Sequence, residues 1–423
     1  MLNQLKKNNL FKLIFMITSL TAQDISVSLF YGDTSSYILN KHFKGIMTKN
    51  EVSFQVDYKK EFKNSKFFLN PIFSNNKVIF NEAYFTYSKN DINFLFGRFD
   101  RSFSSENTSI SSGSMMESGN ALSPTRLGFE YLKNFNNINV SASMFHGNWY
   151  KNEIITSTPF LHQKSLYVSK KTKKQIFQVG LSHSALWSGK NKFGKQPTSF
   201  DDFLNIFTGQ PGENDATIGD QINALGEHYG MWDFSINFKI SNSDYFKIYY
   251  HYFFEDSSGL KLENNLNNYD GLKGLELGIN NMIILFEHLK TTNQGGSIHP
   301  PGLDSYYNSK AYPPGWIYNN QNIGNSLLRP DNNRKEGFHF SIRTDISFLK
   351  DFTISYVDLK EYIPFTDPLK DYSLLLENDN GKDYNEFSTY FTVPFFKKNK
   401  IKLYLSKNNL EKISFAVLLK QDF

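Results

Sequence analysis

At 423 residues the chain is longer than one ordinary soluble domain, so it either divides into two or three such domains or closes into one large barrel. Phe (41) and Tyr (24) are abundant while mean hydropathy is −0.46, a pairing that favours aromatic girdles around a barrel over a Leu/Ala-rich helical core. The 46 basic and 41 acidic residues are spread along the chain, which excludes a nucleic-acid stripe, and the lack of cysteine excludes disulfides, thiolate metal sites and cysteine nucleophiles.

Near the start, Lys6, Lys7 and Lys12 precede or flank an apolar run from Leu13 to Leu20, and Ala22-Gln23 offers a small-residue cleavage point. Residues 1–22 therefore read as an export signal and residues 23–423 as the exported chain. No later segment reaches the ~20 apolar residues of a spanning helix, so a membrane would be crossed by strands.

From there on, apolar and polar residues alternate with period two. Val52, Phe54, Val56 and Tyr58 form one such row, and Ile138, Val140, Ala142 and Met144 another. Trp232, Phe234, Ile236, Phe238 and Ile240 oppose Asp233, Ser235, Asn237 and Lys239; Phe338, Phe340, Ile342, Ile346 and Phe348 oppose His339, Ser341, Arg343, Asp345 and Ser347. Polar rows of this kind are costly in a dry core and comfortable in a wet lumen. Roughly 16 to 18 runs of about ten residues predict an all-β fold: a single transmembrane, antiparallel, up-and-down β-barrel of about 18 strands. The last run, Ile413, Phe415, Val417, Leu419 and terminal Phe423, resembles the C-terminal strand read by the outer-membrane barrel assembly machinery, which implies that machinery as a partner in biogenesis and outer-membrane lipid or lipopolysaccharide as surroundings.

Four long connections interrupt the strands, near residues 100–124, 186–230, 291–335 and 361–384. The first is rich in Ser and Gly and is expected to be mobile. The second carries helix grammar: Ser199 as cap, Asp202 three residues on, Phe200, Phe203, Leu204 and Phe207 on one stripe, and Gly209 as stop. A second short helix is expected from Asp220 to Gly226, with Ile218, Ile222 and Leu225 on its stripe. The 199–226 insertion is therefore expected to plug or narrow the lumen, or to cap one mouth.

The same stretch carries a resemblance. Gly189, Gly194-Lys195-Gln196-Pro197, Phe200-Asp201-Asp202-Phe203, Asn214-Asp215-Ala216, Gly219-Asp220-Gln221-Ile222-Asn223, Leu225-Gly226, His228 and Trp232-Asp233 resemble the Wzi family of capsule-assembly proteins. Further matching groups are Phe254-Glu255-Asp256, Asp270-Gly271-Leu272, Glu287-His288-Leu289, Thr291-Thr292-Asn293-Gln294 and Gly315-Trp316. The resemblance covers about residues 180–330. It implies an outer-membrane barrel of about eighteen strands with a helical plug, a lectin-like role in holding capsular or exopolysaccharide at the cell surface, and no covalent chemistry. It transfers no sugar-contacting position.

Sugar recognition calls for aromatic faces against C–H surfaces and for amide, carboxylate or guanidinium groups that fork onto hydroxyls. In the 291–335 loop, Tyr306, Tyr307, Tyr312, Trp316 and Tyr318 interleave with Asn308, Asn319, Asn322, Arg329, Asp331 and Arg334. Tyr307, Trp316, Tyr318, Arg329 and Arg334 are the carbohydrate-binding candidates; the competing reading is that the aromatics pack the loop onto the barrel rim. Glu213, Asn214, Asp215 and Asp220 lack the regular spacing of a calcium loop and are expected to cap helices, so no metal or cofactor is expected. His183, His228, His251 and His288 have Ser, Asn or Asp nearby, but no nucleophile elbow accompanies them, and no catalytic residue is expected. The alternative function is a porin for passive or sugar-selective diffusion, which the polar lumen rows would suit.

Overall fold

Strands that are apolar on one face and polar on the other can cross a bilayer only as a closed sheet, because an open edge leaves backbone N–H and C=O groups unpaired in hydrocarbon. The computed structural model has that closure. It describes residues 24–422 except 33–35, 47–50, 75–76, 102–103, 107–108, 256, 261, 263–268, 296–304, 319, 366–375, 377, 396–398 and 411–412. The segment expected to be an export signal, Phe423 and Asn319 lie outside the described residues.

The barrel strands are β1 (Asp24–Gly32), β2 (Glu51–Glu61), β3 (Ser65–Ser74), β4 (Lys77–Lys89), β5 (Ile92–Arg98) and β6 (Thr125–Phe135). They continue as β7 (Ile138–Asn148), β8 (Phe160–Lys171), β9 (Gln175–Trp187), β10 (Glu227–Lys239), β11 (Tyr245–Phe254) and β12 (Gly271–Ile279). The last six are β13 (Met282–Lys290), β14 (Lys335–Ile346), β15 (Leu349–Glu361), β16 (Lys382–Phe395), β17 (Asn399–Asn408) and β18 (Ile413–Asp422). All belong to one 18-stranded sheet in which sequence neighbours pair antiparallel, and β1 closes the ring on β18 with Leu29 opposite Leu419. The single up-and-down barrel expected from the alternation is thus present, at the upper end of the expected strand count.

Connections alternate sharply in length. At one end, turns such as 62–64, 90–91, 136–137, 280–281 and 347–348 are two or three residues long; the other end carries 99–124, 188–226, 255–270, 291–334 and 362–381. Outer-membrane barrels keep short turns on the periplasmic side and long loops outside, which orients the molecule.

Period two decides the faces. Leu166, Val168, Phe177, Val179, Phe286 and Phe338 are exposed on the outer wall, while Ser165, Tyr167, Glu287 and His339 are buried inside. The main apolar cluster sits within the lumen and under the long loops, so the barrel is filled at its extracellular half.

Three helices matter for the site. α1 (Tyr37–Phe43) is capped by Ser36, whose hydroxyl accepts from the Leu39 N–H at 2.9 Å. α2 (Phe200–Thr208) opens with a full capping box, the Asp202 N–H on the Ser199 hydroxyl (3.0 Å) and the Ser199 N–H on the Asp202 carboxylate (2.6 Å). Gly209 closes it in the left-handed region at φ 67°, as the stop signal implied. α3 (Ile218–Ile222) begins two residues earlier and ends four earlier than expected, because Thr217 rather than a later residue caps it; Leu225 lies beyond its end, buried.

Candidate functional site

The lumen is closed by the segment expected to be mobile. The described residues of 99–124 lie in the barrel interior, and Ser105, Ser111 and Ser112 are fastened to carboxylates that the strands aim inward. The Ser105 hydroxyl donates to Asp233 Oδ1 (2.5 Å) and its N–H to Oδ2 (2.7 Å), on β10. Farther along, the Ser111 hydroxyl (2.5 Å) and the Ser112 N–H (2.8 Å) donate to the two oxygens of Glu287 on β13, which also accepts from Tyr249 and contacts His339 Nδ1. Tyr390 on β16 donates to the Ser109 carbonyl at 2.9 Å. On the opposite wall, Arg101 Nη2 donates to the hydroxyls of Ser143 and Ser165 on β7 and β8. A Ser-rich loop is mobile only where water is its partner; here charged acceptors replace water, each bond contributing roughly 1.5–3 kcal/mol.

Arg126, at the start of β6, forks onto Glu117 of the same loop at 2.7 and 2.9 Å and also reaches Gln163 and the Phe99 carbonyl. Burial raises the Glu117 carboxyl, but Arg126 and Arg101 outweigh it and hold the group below the usual carboxylate range. Between plug and strands, the cavity lined by Arg101, Met116, Glu117, Gln163 and Trp316 has a volume of about 30 Å³, room for about two waters.

A helix does enter the lumen, but it is α1, not the 199–226 insertion. Glu386 on β16 accepts from the Ser36 hydroxyl (2.5 Å) and the Tyr37 N–H (3.0 Å), a carboxylate at a helix N-terminus where the backbone dipole favours it. Leu39 and Phe43 pack on Tyr390 and Tyr404 of β16 and β17. The sequence reading passed over α1 because seven residues do not repeat an apolar stripe; Ser36 ahead and Lys44-Gly45 behind were its only marks.

The aromatics of the third long loop cover the plug from outside. Trp316 is 0 % exposed, stacked between Trp149 (5.3 Å) and Tyr229 (5.2 Å), with its indole N–H on the Met116 carbonyl at 2.7 Å. Tyr307, 1 % exposed, donates to the Met115 carbonyl at 2.6 Å. Neither can present a ring face to a polymer, so both leave the carbohydrate-binding set as packing residues of the plug. Asn325 and Ser326 bond to residues 112–113, and Asn120 to the Asn322 carbonyl, which ties the two loops into one body.

Of the other three candidates, Tyr318 and Arg329 are half-buried and Arg334 is buried. Tyr318 is half-buried, accepts from Arg98 Nη2 at 2.9 Å and meets Tyr150 edge-on at 5.6 Å. Arg329 lies 3.9 Å above the Tyr37 ring. Arg334 is paired with Asp379 at 2.7 Å and sits over Tyr362 and Phe365, mostly buried. Arg98, Tyr150 and Tyr318 thus form one cluster, while Arg329 lies on Tyr37 and Tyr384 and Arg334 on Tyr362 and Phe365. Tyr150, Tyr362 and Arg98 carried no signal of their own: each falls at or just past a strand end, outside the 291–335 loop whose composition marked the candidates.

Asp270, just before β12, anchors this mouth by accepting the N–H groups of Asn293 and Gln294 (3.0 and 2.8 Å) and the Tyr306 hydroxyl (3.3 Å). Burial, the largest effect, lifts its carboxyl from the usual 3.8 to about 7. Because the folded value is the higher one, its protonation stabilises the fold fully below the unfolded pKa and no longer does so once pH rises through 7. The urea midpoint read by tryptophan fluorescence should therefore be higher at pH 4 than at pH 8 by an amount that Asp270→Asn removes; an undiminished difference in that variant would assign the dependence elsewhere.

The 199–226 insertion lies against the outer wall. Facing pairs share a side of the sheet, so Phe160/Trp187, His162/Ala185, Lys164/His183 and lipid-facing Leu166/Leu181 form one outward ladder. Phe203 of α2 touches the rings of His146 (5.5 Å), His162 (5.5 Å) and Trp187 (5.8 Å), and Phe207 that of His162 at 5.4 Å. Lys164 donates to the Phe207 carbonyl at the end of α2. His228 Nε2 is 2.8 Å from the Leu225 carbonyl, which can only accept, and its Nδ1 is 2.8 Å from His183 Nε2. Trp232 donates to the Leu260 carbonyl at 3.0 Å. Of the remaining motif residues, Asn214, Asp215 and Gly219 are exposed, the Asp220 N–H caps on Thr217 at 3.3 Å, and the Asn223 N–H closes α3 on Gly219.

Ser105, His251 and Asp233 converge inside the barrel, with Ser105 Oγ 3.3 Å from His251 Nε2. Their arrangement differs from a hydrolytic triad: Asp233 accepts from the serine and approaches the same Nε2 at 3.8 Å, while His251 Nδ1 has no hydrogen-bond partner among the described residues. His288 points outward and lies on Phe338.

An 18-stranded closed barrel with short turns at one end, a plugged mouth at the other and an apolar outer wall defines an outer-membrane β-barrel protein. The chain belongs to the capsule assembly protein Wzi family, whose model matches residues 25–338. Among solved structures it is similar to Wzi of Escherichia coli, an outer membrane protein involved in group 1 capsule assembly and a carbohydrate-binding β-barrel, at 12 % identity and a TM-score of 0.63, covering 98 % of this chain and 87 % of that one. OprD of Pseudomonas aeruginosa follows at 8 % identity and a TM-score of 0.46, covering 95 % and 94 %. No curated protein matches the chain by sequence.

Proposed function

We propose that this outer-membrane protein binds capsular or exopolysaccharide at the cell surface and holds it there without covalent chemistry. The observation that carries the reading is membership of the capsule-assembly family over residues 25–338. The plug supports it against diffusion through a pore, since a body fastened to opposite walls leaves the long loops, not the lumen, as the working surface. The proposed contact residues are Tyr318, Arg329 and Arg334, joined by Arg98, Tyr150 and Tyr362. Outer-leaflet lipid and the barrel assembly machinery are the proposed partners in the membrane and in biogenesis.

The test is equilibrium binding of purified capsular polysaccharide to the full-length protein in detergent. Tyr318→Ala and Tyr150→Ala should each weaken binding by roughly fivefold, about 1 kcal/mol, with the unfolding midpoint little changed. Unaltered affinity in the double variant would remove that patch from the site, and no binding by the parent protein would sink the reading.

A further inference from the structure

The outer wall of an outer-membrane barrel is apolar where it meets acyl chains. On β7 to β10 that wall is interrupted, over the two ladder rows above lipid-facing Leu166 and Leu181, by Lys164 and His183 and then by His146, His162 and His228. Polar side chains turned toward lipid without partners are strongly disfavoured, and neither ring nitrogen of His162 has a hydrogen-bond partner among the described residues. What covers the patch is α2, through Phe203, Phe207 and the Phe207 carbonyl over Lys164.

α2 and α3 then turn a second apolar face away from the barrel. Phe200 is 72 % exposed, Ile218 77 % and Ile222 72 %, with Leu204 also exposed on the same insertion. In a soluble protein four such side chains on fourteen residues of helix would be an aggregation liability. Here they continue an established interface: Phe160, Leu166, Val168 and Val179 of the lipid belt lie exposed on the strands α2 rests on. The ribbon Lys190–Asn191 with Gly194–Lys195 follows the end of β9 and pairs with Ser157, leaving Lys190, Lys192 and Lys195 exposed.

We propose that the 188–226 insertion is a lipid-seated element in which α2 and α3 replace the missing apolar belt over the histidine patch. Its occupant is the acyl region of the outer leaflet, with the three lysines at the head-group phosphates. The inference concerns the outer wall alone and stands or falls independently of polysaccharide binding at the mouth.

The chain has no cysteine, so single-cysteine variants give clean labels. Phe200→Cys and Ile218→Cys, each carrying an environment-sensitive fluorophore, are placed in phospholipid nanodiscs as full-length protein beside Val168→Cys as a lipid-belt reference and Asp215→Cys as a water reference. The expected result is blue-shifted emission at 200 and 218, with quenching by acyl-chain nitroxide lipids as deep as at 168 and resistance to aqueous iodide. Emission and iodide quenching like those at 215 would overturn the proposal. Disulfide-linked dimers from unlabelled Ile218→Cys would overturn it too, by giving the face to a second copy of the chain. Heat-modifiable migration on gels confirms that each variant is a folded barrel before it is read.

Discussion

Removing residues 104–121 and bridging the gap with a short Gly/Ser linker should convert a closed barrel into a conducting one in planar bilayers, with conductance rising roughly tenfold or more given the aqueous bore of an 18-stranded barrel. The segment is fastened to Asp233, Glu287 and Tyr390 while Arg101, just before it, holds Ser143 and Ser165, and its removal also takes away the floor on which Tyr307, Trp316 and Asn325 rest. Deleting 199–226 should leave conductance unchanged, because that insertion lies on the outer wall. A large current from the second deletion and none from the first would reverse the assignment of the plug.

Trp316→Ala should destabilise the extracellular half by about 3–5 kcal/mol, since it empties a fully buried indole site between Trp149 and Tyr229 and leaves the Met116 carbonyl without its donor. Trp316→Phe, which keeps most of the stack, should cost about 1–3 kcal/mol, the share of the orphaned carbonyl. Urea unfolding followed by near-UV circular dichroism reads the loss, and heat-modifiable gel migration should show the barrel itself intact. Polysaccharide binding lost at unchanged stability would return Trp316 to the set of contact residues.

The strands were readable because lipid outside and water inside impose a period of two on every segment, and Asp233, His339 and Ser341 already stood in the polar rows that line the lumen. α2 was readable for a local reason: a capping box, a stripe and a stopping glycine are all contained in Ser199 to Gly209. Its placement was not, because an amphipathic helix carries no sign of whether its partner is the inside or the outside of a barrel; that depended on His162 and Lys164 facing outward, one register step from facing in. The plug failed for the opposite reason. Ser105, Ser111 and Ser112 look like solvated loop until Asp233 and Glu287, more than a hundred residues away in sequence, are known to face them. At the mouth, Trp316 and Tyr307 have the composition of a sugar surface and the burial of a core, and only their contacts, Trp316 on Trp149 and Tyr307 on Phe253, separate the two.

The central claim is that this protein holds polysaccharide on the cell, and the most direct measurement is the cell-bound against shed fraction of capsular polysaccharide in cells lacking the gene, restored with the parent chain or with the Tyr150→Ala/Tyr318→Ala pair. Total polysaccharide should stay unchanged while the bound fraction shifts to shed without the protein, with rescue by the parent chain and poor rescue by the pair. Bound polysaccharide that stays the same when the protein is absent would contradict it.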